Sequence, residues 1–198
     1  IVVFHDERLK RTAAAAGRVG DRTLEQLKKL DIGAWRKSAF RGQRILTLEE
    51  ALSVLAGAAD LCVEIKSYPD APRGIEIKLL FILSHYDYLD RTIIASSDDA
   101  VLTRVRELAP DQRLGLIHDS GGRENPFERA RRIGAASLHI EKALATKPFL
   151  QRAREDGFQT YVWTVNEPKE MEYFAALGVD GVITDFPERL AKLQLHCA

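Results

Sequence analysis

The chain has 198 residues, 45% of them apolar and 29% charged, which suits one soluble domain with a sizeable core. Lys plus Arg and Asp plus Glu balance at 29 each, so no net field draws the chain to nucleic acid or to an anionic membrane. The longest strongly apolar run, IKLLFILSHY, is too short and too interrupted for stable membrane insertion, and the two cysteines, Cys62 and Cys197, read as free thiols.

The opening VVFHD is a run of β-formers ending on His5 and Asp6, so the chain begins inside an element. The AAAA run at 13–16 reads as a small loop or a helix start. TLEQLKKL and TLEEALSVL each start on Thr with Gln26 or Glu50 three places on, the capping-box spacing. Between them DIGAWRKSAFRGQRI is a loop carrying Trp35 and Phe40. The stretch at about 7–46 reads either as an insertion over a barrel mouth or as a packed connecting loop.

From residue 61 onward β runs alternate with helical patterns. The β runs are 61–66, 92–97, 113–118, 137–141, 160–165 and 181–185. Gly134, Gly157 and Gly178 stand where helices end, while Asp98 and the Asn166-Glu167-Pro168 run offer N-terminal caps. Arg129, Arg131 and Arg132 fall in a helical pattern and read as a solvated basic face. Strands alternating with helices predict a parallel α/β sheet. No glycine-rich phosphate fingerprint follows any strand, and DSGGREN is a plain loop, which favours a (β/α)8 barrel over a doubly wound sheet. A barrel would need two more strands, placed before Ile1.

Side chains alternate along a strand, so Glu64 and Lys66 share one face of LCVEIK and Val63 and Ile65 the other. In a barrel the charged pair points into the lumen near the C-terminal strand ends, where such folds hold their chemistry. There the pair is either a buried structural ion pair or functional. Trp163 shares a face with Tyr161 and Val165 and is either an apolar ligand wall or core. His139 and Glu141 form a second-rank pair, with His139 read as structural. His85 and His118 read as structural or solvent-facing, and His196 lies in the tail. His5, a lumen carboxylate and a lumen lysine together suit a reaction at an anionic phosphorus centre. The carboxylate would hold a divalent cation, the lysine would neutralise an oxygen and the histidine would move the proton. One carboxylate is too few for a tight hard-cation site.

These residues resemble the glycerophosphodiester phosphodiesterase family along nearly the whole chain. VVFHDERLKRT resembles its second histidine motif, with HD followed by a leucine and an Arg-Thr. GRVGDRTLEQLKKLDIGAW through TLEEAL resembles its inserted segment, VEIK its metal-ligand strand, YVWTVNEP its seventh-strand signature and GVDGVITDFPERL its closing strand. The resemblance implies a (β/α)8 TIM barrel of the phospholipase C-like phosphodiesterase type. It further implies hydrolysis of a small-molecule glycerophosphodiester to glycerol 3-phosphate and an alcohol, with Mg2+ or Ca2+. By position His5 matches the second catalytic histidine, Glu64 a metal ligand, Lys66 the phosphate-contacting lysine and Trp163 the pocket aromatic. Asp6 is assigned to holding the motif. In-line displacement at phosphorus by a pair of proton-transferring histidines is the implied mechanism.

The family's HRG motif, its PENT-like helix start and its Glu-x-Asp metal ligands have no counterpart in this sequence. Leu46 stands where proline is usual, and Asp98 follows Ser96-Ser97 where an aromatic is common. Losing one of two proton-transfer groups costs about 10²–10⁴ in rate, so this polypeptide by itself is expected to be inactive. Exposed sheet edges would be an association hazard. Three other readings stay open: Lys66 as a Schiff-base lyase residue, a non-catalytic phosphoester-binding barrel, and lysophospholipid head-group cleavage with Trp163, Phe40 and Trp35 lining an acyl surface. A cytoplasmic location is the default from reduced cysteines; the sequence sets no oligomeric state.

Overall fold

A computed structural model of the chain describes residues 1–68 and 74–193, so the expectations for His196 and Cys197 fall outside the described residues. The chain packs as two compact units, residues 1–61 with 66–91, and residues 62–65 with 92–198.

The first unit holds α1 (Lys10–Ala13), α2 (Leu24–Lys28), α3 (Leu48–Leu55) and α4 (Ile75–His85). Both predicted capping boxes are present. The Thr23 hydroxyl accepts from Gln26 N while the Gln26 side chain takes Thr23 N, and Thr47 and Glu50 repeat the arrangement. The alanine run starts no helix but forms a short loop: α1 ends at Ala13, Ala14 turns left-handed at φ 50° and residues 14–16 are loop. Leu9, Leu27 and Ile45 are buried together, with Val2, Phe4 and Ile32 packed against them. The opening run is not a laddered strand. It pairs with the chain through one antiparallel bridge, Val2 to Thr47. In the loop between the two capped helices the Asp31 carboxylate accepts from Gly33 N, Ala34 N and Gly42 N at 2.7–3.0 Å. At Gly33 a Cβ would sit 1.9 Å from Phe40 O, so the close backbone approach there admits only glycine.

The second unit is built on a six-stranded sheet of β1 (Leu61–Glu64, all but its first residue), β2 (Thr92–Ser96), β3 (Arg113–His118), β4 (Ser137–Glu141), β5 (Gln159–Trp163) and β6 (Gly181–Val182). Spatial order equals chain order, and the pairings from β2 to β6 are parallel. A doubly wound sheet reverses its order at a switch point. This one never does, which is the barrel-type topology. Helices α5 (Asp99–Leu108), α6 (Pro126–Ile133), α7 (Lys147–Glu155) and α8 (Pro168–Ala176) alternate with the strands, and α9 (Pro187–Leu190) follows β6. Register places Ile94, Leu114, Leu116, Leu138, Ile140 and Val162 on one face, all fully buried. The other face carries Gly115, Ser137, His139, Tyr161 and Gly181.

The sheet is curled. Cys62 Sγ of β1 lies 3.8 Å from His139 Nδ1 of β4, three strand steps away, where a flat sheet would hold them roughly 14 Å apart. Curling brings the second face together as an interior lining. Two strand glycines make room for its rings: a Cβ on Gly115 would sit 2.5 Å from His139 Nε2, and one on Gly181 2.8 Å from a Tyr161 ring carbon.

Several boundaries differ from the sequence reading. β1 stops at Glu64, and just past it Ile65 N donates to Ala95 O at 2.8 Å while the Ser96 hydroxyl takes Ile65 O at 2.9 Å. β6 stops at Val182, and Asn166 does not cap α8. Its amide instead accepts from Asp185 N and Thr184 Oγ1 and donates to Asp185 Oδ2, gripping the chain just past β6. Asp98 does cap α5, accepting from Ala100 N at 2.9 Å. Gly134, Gly157 and Gly178 all take left-handed φ at helix ends. Arg129 departs from the solvated face expected of it. It is largely buried, with Nε 3.0 Å from Asp99, Nη2 3.0 Å from Ser97 O and Nη1 3.2 Å from His118 Nδ1. Among the described residues no helix is long and apolar enough to cross a membrane.

Candidate active site

In the first unit His5, Asp6 and Lys66 come together, whereas Glu64, the carboxylate expected beside His5 and Lys66, belongs to the second unit. His5 is exposed, with Nδ1 2.8 Å from Asp6 Oδ1 and Nε2 3.2 Å from Lys66 Nζ. Its carbonyl accepts from the Tyr68 hydroxyl at 3.4 Å. The polar neighbours settle the tautomer. An ionised carboxylate only accepts and an ammonium only donates, so Nδ1 carries the proton and Nε2 presents its lone pair. Asp6 is held well below the usual carboxylate range, first by hydrogen bonds from Arg11, with His5 adding to them and partial burial opposing. The Arg11 fork is bidentate, with Nε 2.6 Å from Asp6 Oδ2 and Nη2 2.8 Å from Asp6 Oδ1. The result is a neutral imidazole, oriented from behind, whose basic nitrogen faces a cation. Such a group can take a proton while the neighbouring ammonium neutralises an anion.

Glu64 and Trp163 lie in the second unit, at the C-terminal ends of β1 and β5 and on the interior face of the sheet. Trp163 is half-buried, and its indole Nε1 donates to His139 O at 3.0 Å. With that donor satisfied by the chain, the ring offers a ligand its face and edge rather than a hydrogen bond. His139 is buried to 2% exposure, packed at a tilt against Tyr161 with ring centroids 4.9 Å apart, and 3.0 Å from Ser137 Oγ; burial pushes its pKa down to about 4, so it is a neutral structural group. Glu141 does not join it. Its carboxylate accepts from Ser120 N at 2.8 Å, chiefly through which it is held below the usual range. His118 is buried on the helix-facing side of β3, and His85 is exposed beside Phe81 at the end of α4.

A hard divalent cation takes six or more oxygen ligands. Among the described residues no three His, Cys, Asp or Glu side chains gather as such a site, and Glu64 is one carboxylate. The described residues therefore do not fit a cation site by themselves.

Arg11 and Tyr68 escaped the residue-level reading. Arg11 was signalled only as part of an Arg-Thr pair after HD, and nothing local shows that its fork returns five residues to Asp6. Gly115 was findable, because a glycine inside a strand asks what approaches it.

The profile of the glycerophosphoryl diester phosphodiesterase family matches residues 1–189. A glycerophosphodiester phosphodiesterase of Caldanaerobacter subterraneus subsp. tengcongensis is 38% identical over 195 residues, covering 98% of this chain and 79% of that protein. One of Bacillus subtilis is 30% identical over 212 residues, covering 98% and 72%. Among solved structures, an Oleispira antarctica phosphodiesterase in complex with the product sn-glycerol-3-phosphate superposes with a TM-score of 0.86 at 24% identity, over 96% of this chain and 77% of that one.

Proposed function

Because this chain belongs to the glycerophosphodiester phosphodiesterase family, an enzyme family, we propose that its site works in hydrolysis of glycerophosphodiesters to glycerol 3-phosphate and an alcohol. The observation that carries this reading is the His5 arrangement: a neutral imidazole with its Nε2 lone pair 3.2 Å from the Lys66 ammonium. A phosphodiester is a monoanion with a proton to be moved as its P–O bond exchanges. Lys66 leaves Nε2 to neutralise a non-bridging phosphoryl oxygen, and Nε2 then takes the proton of the attacking hydroxyl or returns one to the leaving oxygen. Asp6 holds Nδ1–H throughout and stabilises the imidazolium that forms, the part an aspartate plays behind a histidine base. Trp163, in the second unit, has a ring face suited to apolar carbon atoms of a ligand. Family membership removes the ground for Lys66 as a Schiff-base residue.

The test, run on the full-length protein, is release of sn-glycerol 3-phosphate from glycerophosphocholine, with Mg2+, with Ca2+ and with chelator, alongside calorimetric binding of sn-glycerol 3-phosphate. Turnover that falls at least a hundredfold in His5→Asn and Lys66→Met supports hydrolysis by these groups. Binding that depends on Lys66, without turnover, replaces the reading with a phosphoester-binding role. Neither binding nor turnover ends it.

A further inference from the structure

The first unit contains a second run of contacts behind His5, starting in the loop between α2 and α3. Trp35 stands on this loop, its indole Nε1 donating to Ile32 O at 2.9 Å, and the loop is tied by the three backbone bonds to Asp31. The guanidinium of Arg11 lies over the Trp35 ring, 5.1 Å from its centroid. In the plane of that guanidinium the fork closes on both oxygens of Asp6, and Asp6 Oδ1 meets His5 Nδ1. Each group here has a reason to be this residue type. A planar cation can stack on an indole and at the same time hold a carboxylate at two points; a lysine cannot. Asp6, held at two points, cannot rotate away from the imidazole.

We infer that Arg11 and Trp35 are positioning residues for His5: the loop holds Trp35, Trp35 sets the plane of Arg11, Arg11 sets Asp6, and Asp6 fixes the ring orientation and the Nδ1–H tautomer of His5. The segment between α2 and α3 thereby acts on the proton-transfer group from behind rather than by touching substrate. Its catalytic meaning rests on the hydrolytic reading above; the tautomer it imposes does not.

A free imidazole in water favours the Nε2–H tautomer, so the device has a direct spectroscopic signature. The experiment is 15N–1H correlation of the histidine side chains in the labelled chain at a pH where His5 is neutral, with the His5 signals assigned by their loss in His5→Asn. The parent is expected to show His5 mainly as Nδ1–H. In Arg11→Met the Nε2–H form becomes the larger fraction, and Arg11→Lys does not restore the parent pattern. Trp35→Ala moves the ratio in the same direction by a smaller amount, and Trp35→Phe, which keeps a ring under the guanidinium, moves it less again. Arg18→Met, which removes the neighbouring Arg18–Glu7 ion pair at 3.1 Å, leaves His5 unchanged and controls for loosening of the unit. An unchanged His5 tautomer in both Arg11 variants overturns the inference, as does an equal response to Arg18→Met. A response confined to the Arg11 variants removes Trp35 and the loop from it. Should Arg11→Met fail to fold, Arg11→Lys and the two Trp35 variants still decide. With the glycerophosphocholine assay run on the same variants of the full-length protein, Arg11→Met should lower kcat roughly 10- to 100-fold with KM little changed. A tautomer response without turnover in the parent leaves the positioning standing and the hydrolytic reading lost; turnover with no tautomer response does the reverse.

Discussion

Among single residues the contrast between two histidines is instructive. His5 and His139 each sit near a strand-like run and each has a carboxylate close in sequence, Asp6 and Glu141. Only the first pair meets. His5 is exposed and keeps a carboxylate at Nδ1 and a cation at Nε2, whereas His139 is enclosed by Ser137, Tyr161 and Cys62 while Glu141 is turned to Ser120 N. Burial makes the second histidine a stability element with a definite pH signature. In the native chain it stays neutral until about pH 4, whereas in the unfolded chain it takes a proton below about 6.5. The unfolded state therefore binds more protons between those values, and stability drains away as pH falls from 6.5 towards 4, by about 3 kcal/mol for this group. Urea unfolding at several pH values should show the parent losing about that much more than His139→Gln. Equal slopes for the two would mean that His139 is not shielded from solvent in this way.

Among elements, the ends of the helices follow local chemistry closely. The Thr47–Glu50 box is an example: Thr47 Oγ1 accepts from Glu50 N at 3.2 Å and Glu50 Oε2 accepts from Thr47 N at 2.8 Å. Lys28 also bonds Glu50, and this contact, ahead of the Thr47 N–H, holds that carboxyl below its ordinary value. Thr47→Ala should cost about 1 kcal/mol in urea unfolding and speed hydrogen exchange at the first turn of α3. A change under a few tenths would show that the Glu50 half of the box holds the turn alone. Asn166 shows where local chemistry stops being decisive. Asn-Glu-Pro is a sound helix start, and α8 does begin at Pro168, yet the amide goes to Thr184 and Asp185, eighteen and nineteen residues on. A cap bond and a grip on a following strand cost the side chain the same, and only the position of β6 chooses between them.

For the molecule as a whole, Arg129 joins three elements of the second unit, α6 that carries it, the start of α5 through Asp99, and the end of β3 through His118, and it also holds Ser97 O in the turn before α5. Arg129→Met should cost about 2 kcal/mol, less than the 3–5 of a fully buried pair, because Asp99 keeps Arg132 and partial access to water. Arg129→Lys should recover little of it, since one ammonium cannot reach three acceptors. Loss under about 0.5 kcal/mol in urea unfolding would place Arg129 with ordinary surface ion pairs.

What the amino-acid sequence determined by itself is whatever depends on neighbours a few residues apart. That covers the alternation of strand and helix from residue 61, the parallel sheet, the capping boxes, the glycine stops and the shared faces of alternate strand residues, Glu64 on the inward one, which follow from a period of two. The His-Asp pair and Lys66 were legible as chemistry because few scaffolds need those residue types together. Tertiary structure alone decided the rest: the curl that sets Cys62 against His139, the room that Gly115 and Gly181 leave for two rings, the burial of Arg129 and the return of Arg11 to Asp6 over Trp35. A guanidinium reaches far enough to choose among many acceptors, and a strand face becomes an interior only when the sheet closes on it. Those choices are made by groups that meet in space after the backbone is in place, so no spacing in the chain records them.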